Sequence, residues 1–237
     1  MTPATASPAG LRLENIEKRY GGLYALRKVS LVIAPGDCVV LAGRNGSGKT
    51  TLLRIAGRLV RPTSGRVSFF SSERDSEAGN ADGVRPGYVA HAAMAYDELS
   101  AEENLQLFGR LQGTPGLKSR VDALLREVGL AERRKSLVRT FSRGMRQRVA
   151  IACALLKDPR VLLLDEPATG LDPQGVTWLA DTLRRLRDSG CTMIMSLHGE
   201  SEISALGTRA IRLDAGSIVA DTRTGATFRT ILTFADA

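Results

Sequence analysis

The sequence predicts an α/β fold into which a helical lobe is inserted, and three observations predict it. A continuous apolar run of strand length, Cys38 to Ala42, leads through Gly43-Arg44-Asn45-Gly46-Ser47-Gly48 to Lys49-Thr50 and a helical run from Thr51 to Leu59. The region from about 92 to 158 then reads as mainly helical. The α/β pattern resumes at Val161 to Leu164, a second apolar strand, which ends in Asp165-Glu166.

Each element has its own local reason. Leu11 to Ile16 alternates apolar and polar residues, as a half-buried strand does, and Val29 to Ile33 reads as its successor before the turn Pro35-Gly36-Asp37. Residues 71 to 86 are polar and glycine-rich, so a loop is expected. Ser100-Ala101-Glu102-Glu103 fits a capping box and predicts a helix starting at Ala101, with Leu105, Phe108 and Leu111 on its apolar face. Val121 to Val128 is a second amphipathic helix, stopped by Gly129, and Gly144 to Leu156 is a third. A helix over about Gly175 to Ser189 and a strand over Thr192 to Ser196 follow, and Ala210 to Leu213 with Ser217 to Ala220 form a hairpin around Ala215-Gly216.

Composition narrows the function classes. The 237 residues are 43% hydrophobic, enough for a sizeable core, and disorder of the whole chain is excluded. Aromatics make up 5%, which disfavours nucleic-acid binding by stacking. The net charge is +8, and basic residues are dense between Arg110 and Arg148. They fit a solvated face, nucleotide phosphates, an acidic partner or an anionic membrane surface. Cys38, Cys153 and Cys191 are scattered among apolar residues and form no CxxC pair, as expected of buried thiols in a reducing compartment. Met1 to Gly10 has neither a basic nor an apolar segment of the kind a signal peptide needs, and the longest apolar stretch, Val149 to Leu164, is broken by Lys157, Asp158, Pro159 and Arg160. A role in transport therefore calls for a separate membrane partner.

Strand, glycine loop and helix are the context that a phosphate-binding loop demands. The glycines let backbone N–H groups approach phosphate oxygens, and the helix dipole adds to the attraction. Gly43, Asn45, Gly46, Ser47, Gly48, Lys49, Thr50 and Thr51 are the expected contacts, with Lys49 on the β- and γ-phosphates and the Thr50 hydroxyl on Mg²⁺. Asp165, at the end of its strand, is the expected carboxylate partner of the metal. Glu166, next to it, is placed to polarise a water for attack on the γ-phosphorus. The competing reading of this pair is a plain acidic strand end.

Phe141-Ser142-Arg143-Gly144-Met145 precedes Leu162-Leu163-Leu164-Asp165-Glu166-Pro167, and Thr169-Gly170-Leu171-Asp172 and His198 follow. This order resembles the ATP-binding cassette (ABC) ATPases over nearly the whole chain. The resemblance implies a phosphate-loop core of the RecA type, an antiparallel β subdomain and the inserted α-helical lobe. The domain division would be a flexible stretch at 1–10, a core of 11–91 and 159–237, and a lobe of 92–158.

It also implies ATP and Mg²⁺ as cofactors, ATP hydrolysis coupled to transport, and a transmembrane permease as partner at the cytoplasmic face of the membrane. A second cassette would dock head to tail, with a homodimer expected, and nucleic acid is not expected. Ser142 and Gly144 would meet the γ-phosphate bound by that second cassette, and Asp172 would lie at the seam. Tyr20, in Lys18-Arg19-Tyr20-Gly21-Gly22, matches the family's adenine-stacking aromatic, against a competing reading as a core tyrosine.

His198 matches the histidine that contacts the γ-phosphate. His91, in Gly87-Tyr88-Val89-Ala90-His91, stands where the family usually has a glutamine on Mg²⁺ and the attacking water, so it is both a catalytic and a metal candidate. Its imidazole offers one hydrogen bond as donor or acceptor. Arg143 and Met145 depart from the usual glycine and glutamine. His91 with Tyr96-Asp97-Glu98-Leu99-Ser100 and Glu103-Asn104-Leu105 looks like the ATPase of the haem exporter of cytochrome c maturation. Other cargoes, or a soluble cassette acting on DNA or ribosomes, are the alternatives.

Overall fold

The computed structural model describes residues 9–71, 84–91, 94–197 and 203–233. Two long strands, β1 (Gly10–Tyr20) and β2 (Leu23–Ile33), pair antiparallel across a tight turn. The buried strand β3 (Cys38–Ala42) runs into the glycine loop and α1 (Lys49–Ala56). Two strands follow, β4 (Ser64–Phe70) and β5 (Gly87–Val89).

Next come three helices, α2 (Ala101–Gln112), α3 (Leu117–Glu127) and α4 (Arg143–Ala154). The chain then alternates β6 (Val161–Asp165), α5 (Pro173–Asp188) and β7 (Thr192–Ser196). It closes with the hairpin β8 (Arg209–Asp214) and β9 (Ser217–Asp221) and a short α6 (Phe228–Thr233).

Two sheets result. One is antiparallel, in the order β2-β1-β4; the other has the order β5-β6-β7-β3-β8-β9, parallel except for β9. The α/β architecture with an antiparallel sheet and a helical lobe is thus the expected one. β3, β6 and β7 are buried at every residue, which explains their unbroken apolar runs: central parallel strands face a core on both sides. Alternate residues separate two apolar clusters. Val40, Leu162, Leu164 and Met193 face Leu105, Leu124, Val149 and Leu179 from the helices. Val39, Leu41, Leu163 and Ile194 face Leu52 and Ile55 of α1 and Leu11 and Leu26 of the antiparallel sheet. Each fully buried leucine contributes about 1.5–3 kcal/mol.

Capping decides where helices start. Ser100 caps α2 in the expected box, accepting from the Glu103 amide at 3.2 Å while Glu103 Oε2 accepts from the Ser100 amide at 2.8 Å. Several boundaries move for similar reasons. The first helix begins at Lys49 rather than Thr51 and ends at Ala56, not Leu59. α4 begins at Arg143 because Ser142 is its cap, and α5 begins at Pro173, two residues before Gly175, because Asp172 caps it and proline suits the first turn. β1 and β2 are longer than expected, and β4, β5 and α6 were not legible, being short or without clear alternation. The loop expected at 71–86 lies largely outside the described residues.

The three cysteines are buried free thiols, and burial pushes each up to about 12. Among the described residues no helix is long and apolar enough to cross a membrane. At the far edge of the sheet Arg209 donates to both Asp221 oxygens, with Nε–Oδ1 at 2.9 Å, and to the Val32 carbonyl of β2 at 2.6 Å. Burial pushes the Asp221 carboxyl up, but hydrogen bonds from Arg209 and the Arg223 amide outweigh it and hold the carboxyl below its usual range.

Candidate functional site

The sheet order brings the C-terminal ends of β3, β6 and β7 to one edge, and the candidate residues gather there. The loop after β3 is tight: the Ser47 amide donates to the Arg44 carbonyl at 3.1 Å. Gly43 (φ +142°) and Gly48 (φ +107°) adopt backbone conformations that side chains resist. A Cβ at Gly43 would meet Ser47 Oγ at 2.7 Å, and one at Gly48 the Ala25 carbonyl at 2.7 Å. Gly48 is also the N-cap of α1, so that helix points its free amides into the loop. Asn45 and Gly46 are exposed on the rim, and the Ser47 hydroxyl is buried without a hydrogen-bond partner among the described residues.

Lys49 is buried, and its Nζ donates to the Gly43 carbonyl at 2.6 Å and the Arg44 carbonyl at 3.2 Å, which bends the ammonium back over the loop. Burial lowers its pKa, while the negative charges of Glu166 and Asp165 oppose the shift. The Thr50 hydroxyl donates to Asp165 Oδ1 at 3.1 Å, and the Ser196 hydroxyl donates to the same oxygen at 2.7 Å. Ser196 was missed as a site residue. The available signal was a polar residue closing an apolar strand that must lie beside Asp165. Thr51 is half-buried on α1 behind Thr50.

Glu166 follows at φ +50°, an uncommon conformation for a side chain longer than Asn or Asp. Its amide is fixed by Ser196, with the hydroxyl at 3.0 Å and the carbonyl at 3.2 Å. Its Oε2 lies 3.0 Å from His91 Nδ1 and accepts from Thr169 Oγ1 at 3.4 Å. His91 is half-exposed and touches the candidate base. His198 lies outside the described residues.

A second group forms on α4 and α5. Ser142 Oγ accepts from the Met145 amide at 3.3 Å, and Asp172 Oδ1 from the Gly175 amide at 2.8 Å. Ser142, Gly144 and Asp172 line one open hollow of about 410 Å³ together with Arg143, Arg133 and Arg148. Arg143 packs its aliphatic stem over Gly170. Gln147, which sequence reasoning also missed, ties the two groups together: its Nε2 donates to the Pro167 carbonyl, just after Glu166, at 3.1 Å.

Tyr20 ends β1 with half its surface exposed and Lys18 Nζ 5.0 Å from its ring centroid. The competing reading, a core tyrosine, is not what is seen.

Comparison with known proteins decides the family. The ABC transporter family model matches residues 26–169. The chain belongs to the ABC transporter family. It is 38% identical over 213 residues to the daunorubicin resistance ATP-binding protein of Streptomyces coeruleorubidus, covering 89% of this chain and 67% of that protein. It is 34% identical over 212 residues to the linearmycin resistance ATP-binding protein of Bacillus subtilis, covering 89% and 68%.

Among solved structures, a dimeric post-hydrolysis state of an ATP-binding cassette bound to ADP and Pi superimposes with a TM-score of 0.78 at 28% identity, covering 89% of this chain and 97% of the other. An ATP-binding subunit of an ABC transporter gives 0.80 at 26% identity, covering 96% and 99%. The chain is accordingly an ABC ATPase cassette that binds and hydrolyses ATP.

Proposed function

We propose that this cassette drives an exporter for a drug-like or antibiotic-like amphiphile, docked under a transmembrane permease at the cytoplasmic face of the membrane and paired with a second copy of itself. The observation that carries the nucleotide-hydrolysing part of this reading is the shared carboxylate oxygen: Asp165 Oδ1 accepts from both Thr50 and Ser196, beside buried Lys49 and beside Glu166.

Lys49 exchanges its loop carbonyls for the β- and γ-phosphate oxygens, while Gly43 to Thr51 cradle them with backbone amides. Thr50 and Asp165 present only hard oxygen donors, which fits Mg²⁺. Bound there, Mg²⁺ would neutralise charge on the phosphates. Among the described residues no group of three His, Cys, Asp or Glu side chains could hold an ion. Phosphate oxygens and water would therefore complete the coordination. Glu166 Oε2 accepts the proton of the attacking water, and its strained backbone fixes where that oxygen sits. His91 orients Glu166 from the 3.0 Å contact, a role the geometry favours over metal ligation. His198 would contact the γ-phosphate from the end of its strand, and Tyr20 would stack on adenine.

The hollow of Ser142, Gly144 and Asp172 faces outward, so its helix N-termini and arginines suit the γ-phosphate held by a second cassette. The permease would enter a groove of about 320 Å³ walled by Leu59, Tyr88, Met94 and Phe108. Leu59 and Met94 are 57% and 60% exposed, which supports a surface suited to an apolar helix. The resistance names carried by the two relatives favour amphiphile export over haem.

The test is purification from native membranes in mild detergent. A co-purifying polytopic membrane protein, released by Met94→Asp with ATP binding unchanged, is the expected result. Recovery without any integral membrane protein, together with ATPase activity indifferent to membranes, would overturn the transporter reading.

A further inference from the structure

Tyr88 is half-buried, and its buried hydroxyl is a group that this mechanism does not use. It sits in β5 opposite Leu163 of β6, in a parallel register that also pairs Gly87 with Leu162 and Val89 with Leu164. Side chains alternate along a strand, so Leu163 and Asp165 share one face of the sheet, and Tyr88 packs against the cluster on that face. Its hydroxyl is buried and has no hydrogen-bond partner among the described residues. The same is true of Asp165 Oδ2, although Oδ1 of that carboxylate takes two hydroxyl donors.

A donor without an acceptor and an acceptor without a donor thus stand on one sheet face, where leaving either unmade is destabilising. The two groups feel each other. Burial, then the negative charge of Asp165, raises the Tyr88 phenol, and Arg54 of α1 works in the opposite direction. Tyr88 also forms the wall of the groove, together with Met94 and Phe108.

We infer that Tyr88 is a positioning residue: its hydroxyl donates to Asp165 Oδ2 and holds the carboxylate for Mg²⁺, and its ring carries contact in the groove to that carboxylate. The inference rests on the proposed role of Asp165. Groups that hold a ligating carboxylate tune the metal it binds. An occupant pressing on the exposed side of the ring moves the hydroxyl along the face that Asp165 shares, so the groove and the metal site are joined by one side chain.

Tyr88→Phe removes the hydroxyl and keeps the ring. The measurement is binding of a fluorescent, non-hydrolysable ATP analogue to the full chain, first with chelator and then over a Mg²⁺ titration, with Mn²⁺ binding by electron paramagnetic resonance as a second readout. The expected result is unchanged nucleotide affinity in chelator, an unchanged melting temperature, and a half-saturating Mg²⁺ or Mn²⁺ concentration raised about tenfold. Wild-type metal dependence in Tyr88→Phe would overturn the inference while leaving the ATPase reading intact. If wild type binds the analogue with no metal dependence at all, the proposed role of Asp165 fails first and takes the inference with it.

Discussion

The loop half of the site and the signature half are built on different terms. Around Lys49, Thr50 and Asp165 the side chains are buried or half-buried and already meet one another: hydroxyls on a carboxylate, ammonium on loop carbonyls. Around Ser142, Gly144 and Asp172 the surface is open, the caps satisfy one amide each, and three arginines line a hollow containing a single carboxylate. One half is preorganised within the chain, and the other offers helix N-termini to a charge that the chain does not itself place there. The difference teaches that nucleotide binding and turnover should separate: the first needs only the loop half, the second needs both.

The largest effect is expected at Glu166. Glu166→Gln keeps the strained backbone but cannot take the proton, so turnover should fall by about 10²–10⁴-fold while ATP binding, measured by equilibrium dialysis, stays within a few-fold. Near wild-type turnover would remove Glu166 from that role.

Next comes the open half. Ser142→Arg should leave nucleotide binding to the monomer unchanged and abolish ATP-dependent association in sedimentation, with turnover down about 10²-fold, the usual effect of losing one transition-state donor. ATP-driven dimers in this variant would break the comparison.

Thr50→Val sharpens it from the other side. Loss of the hydroxyl that bonds Asp165 should raise the half-saturating Mg²⁺ concentration about tenfold, with association recovered at high Mg²⁺. A smaller change is expected for His91→Gln, which can still hydrogen-bond Glu166: turnover within about threefold of wild type, against about tenfold loss in His91→Ala, in steady-state ATPase assays. Equal activity in both variants would mean that the 3.0 Å contact does not orient the base.

The smallest effect on turnover belongs to the pair remote from both halves. Asp221 has a depressed carboxyl in the folded chain, so its contribution is present above the unfolded value of about 3.9 and is lost as pH falls through the folded value. Arg209→Met should remove this part of the acid dependence and lower stability by on the order of 3 kcal/mol, read by denaturant unfolding, yet leave nucleotide affinity at neutral pH unchanged.

Much of this was legible before any coordinates. The order of strand, glycine loop and helix, the acidic end of β6 and the box at Ser100–Glu103 are local signals, written in residues a few positions apart, and the chain realises each one. Starts of helices were legible where the cap was placed correctly: α2 came out at its true first residue, whereas α5 was misplaced because Asp172 was read as a seam residue and not also as a cap. β4 and β5 escaped notice because an edge strand of three or seven residues carries little periodicity of its own.

The sequence by itself determined the chemistry, because loop, carboxylates and caps depend on neighbours in the chain. Only the tertiary structure decided the partnerships. Ser196 meets Asp165 across 31 residues, His91 meets Glu166 across the β5–β6 edge, and Tyr88 lines the groove while pairing with Leu163 two residues before Asp165. Strand order and register set those distances, and they are fixed by how two apolar cores pack on opposite faces of one sheet, which no local pattern encodes.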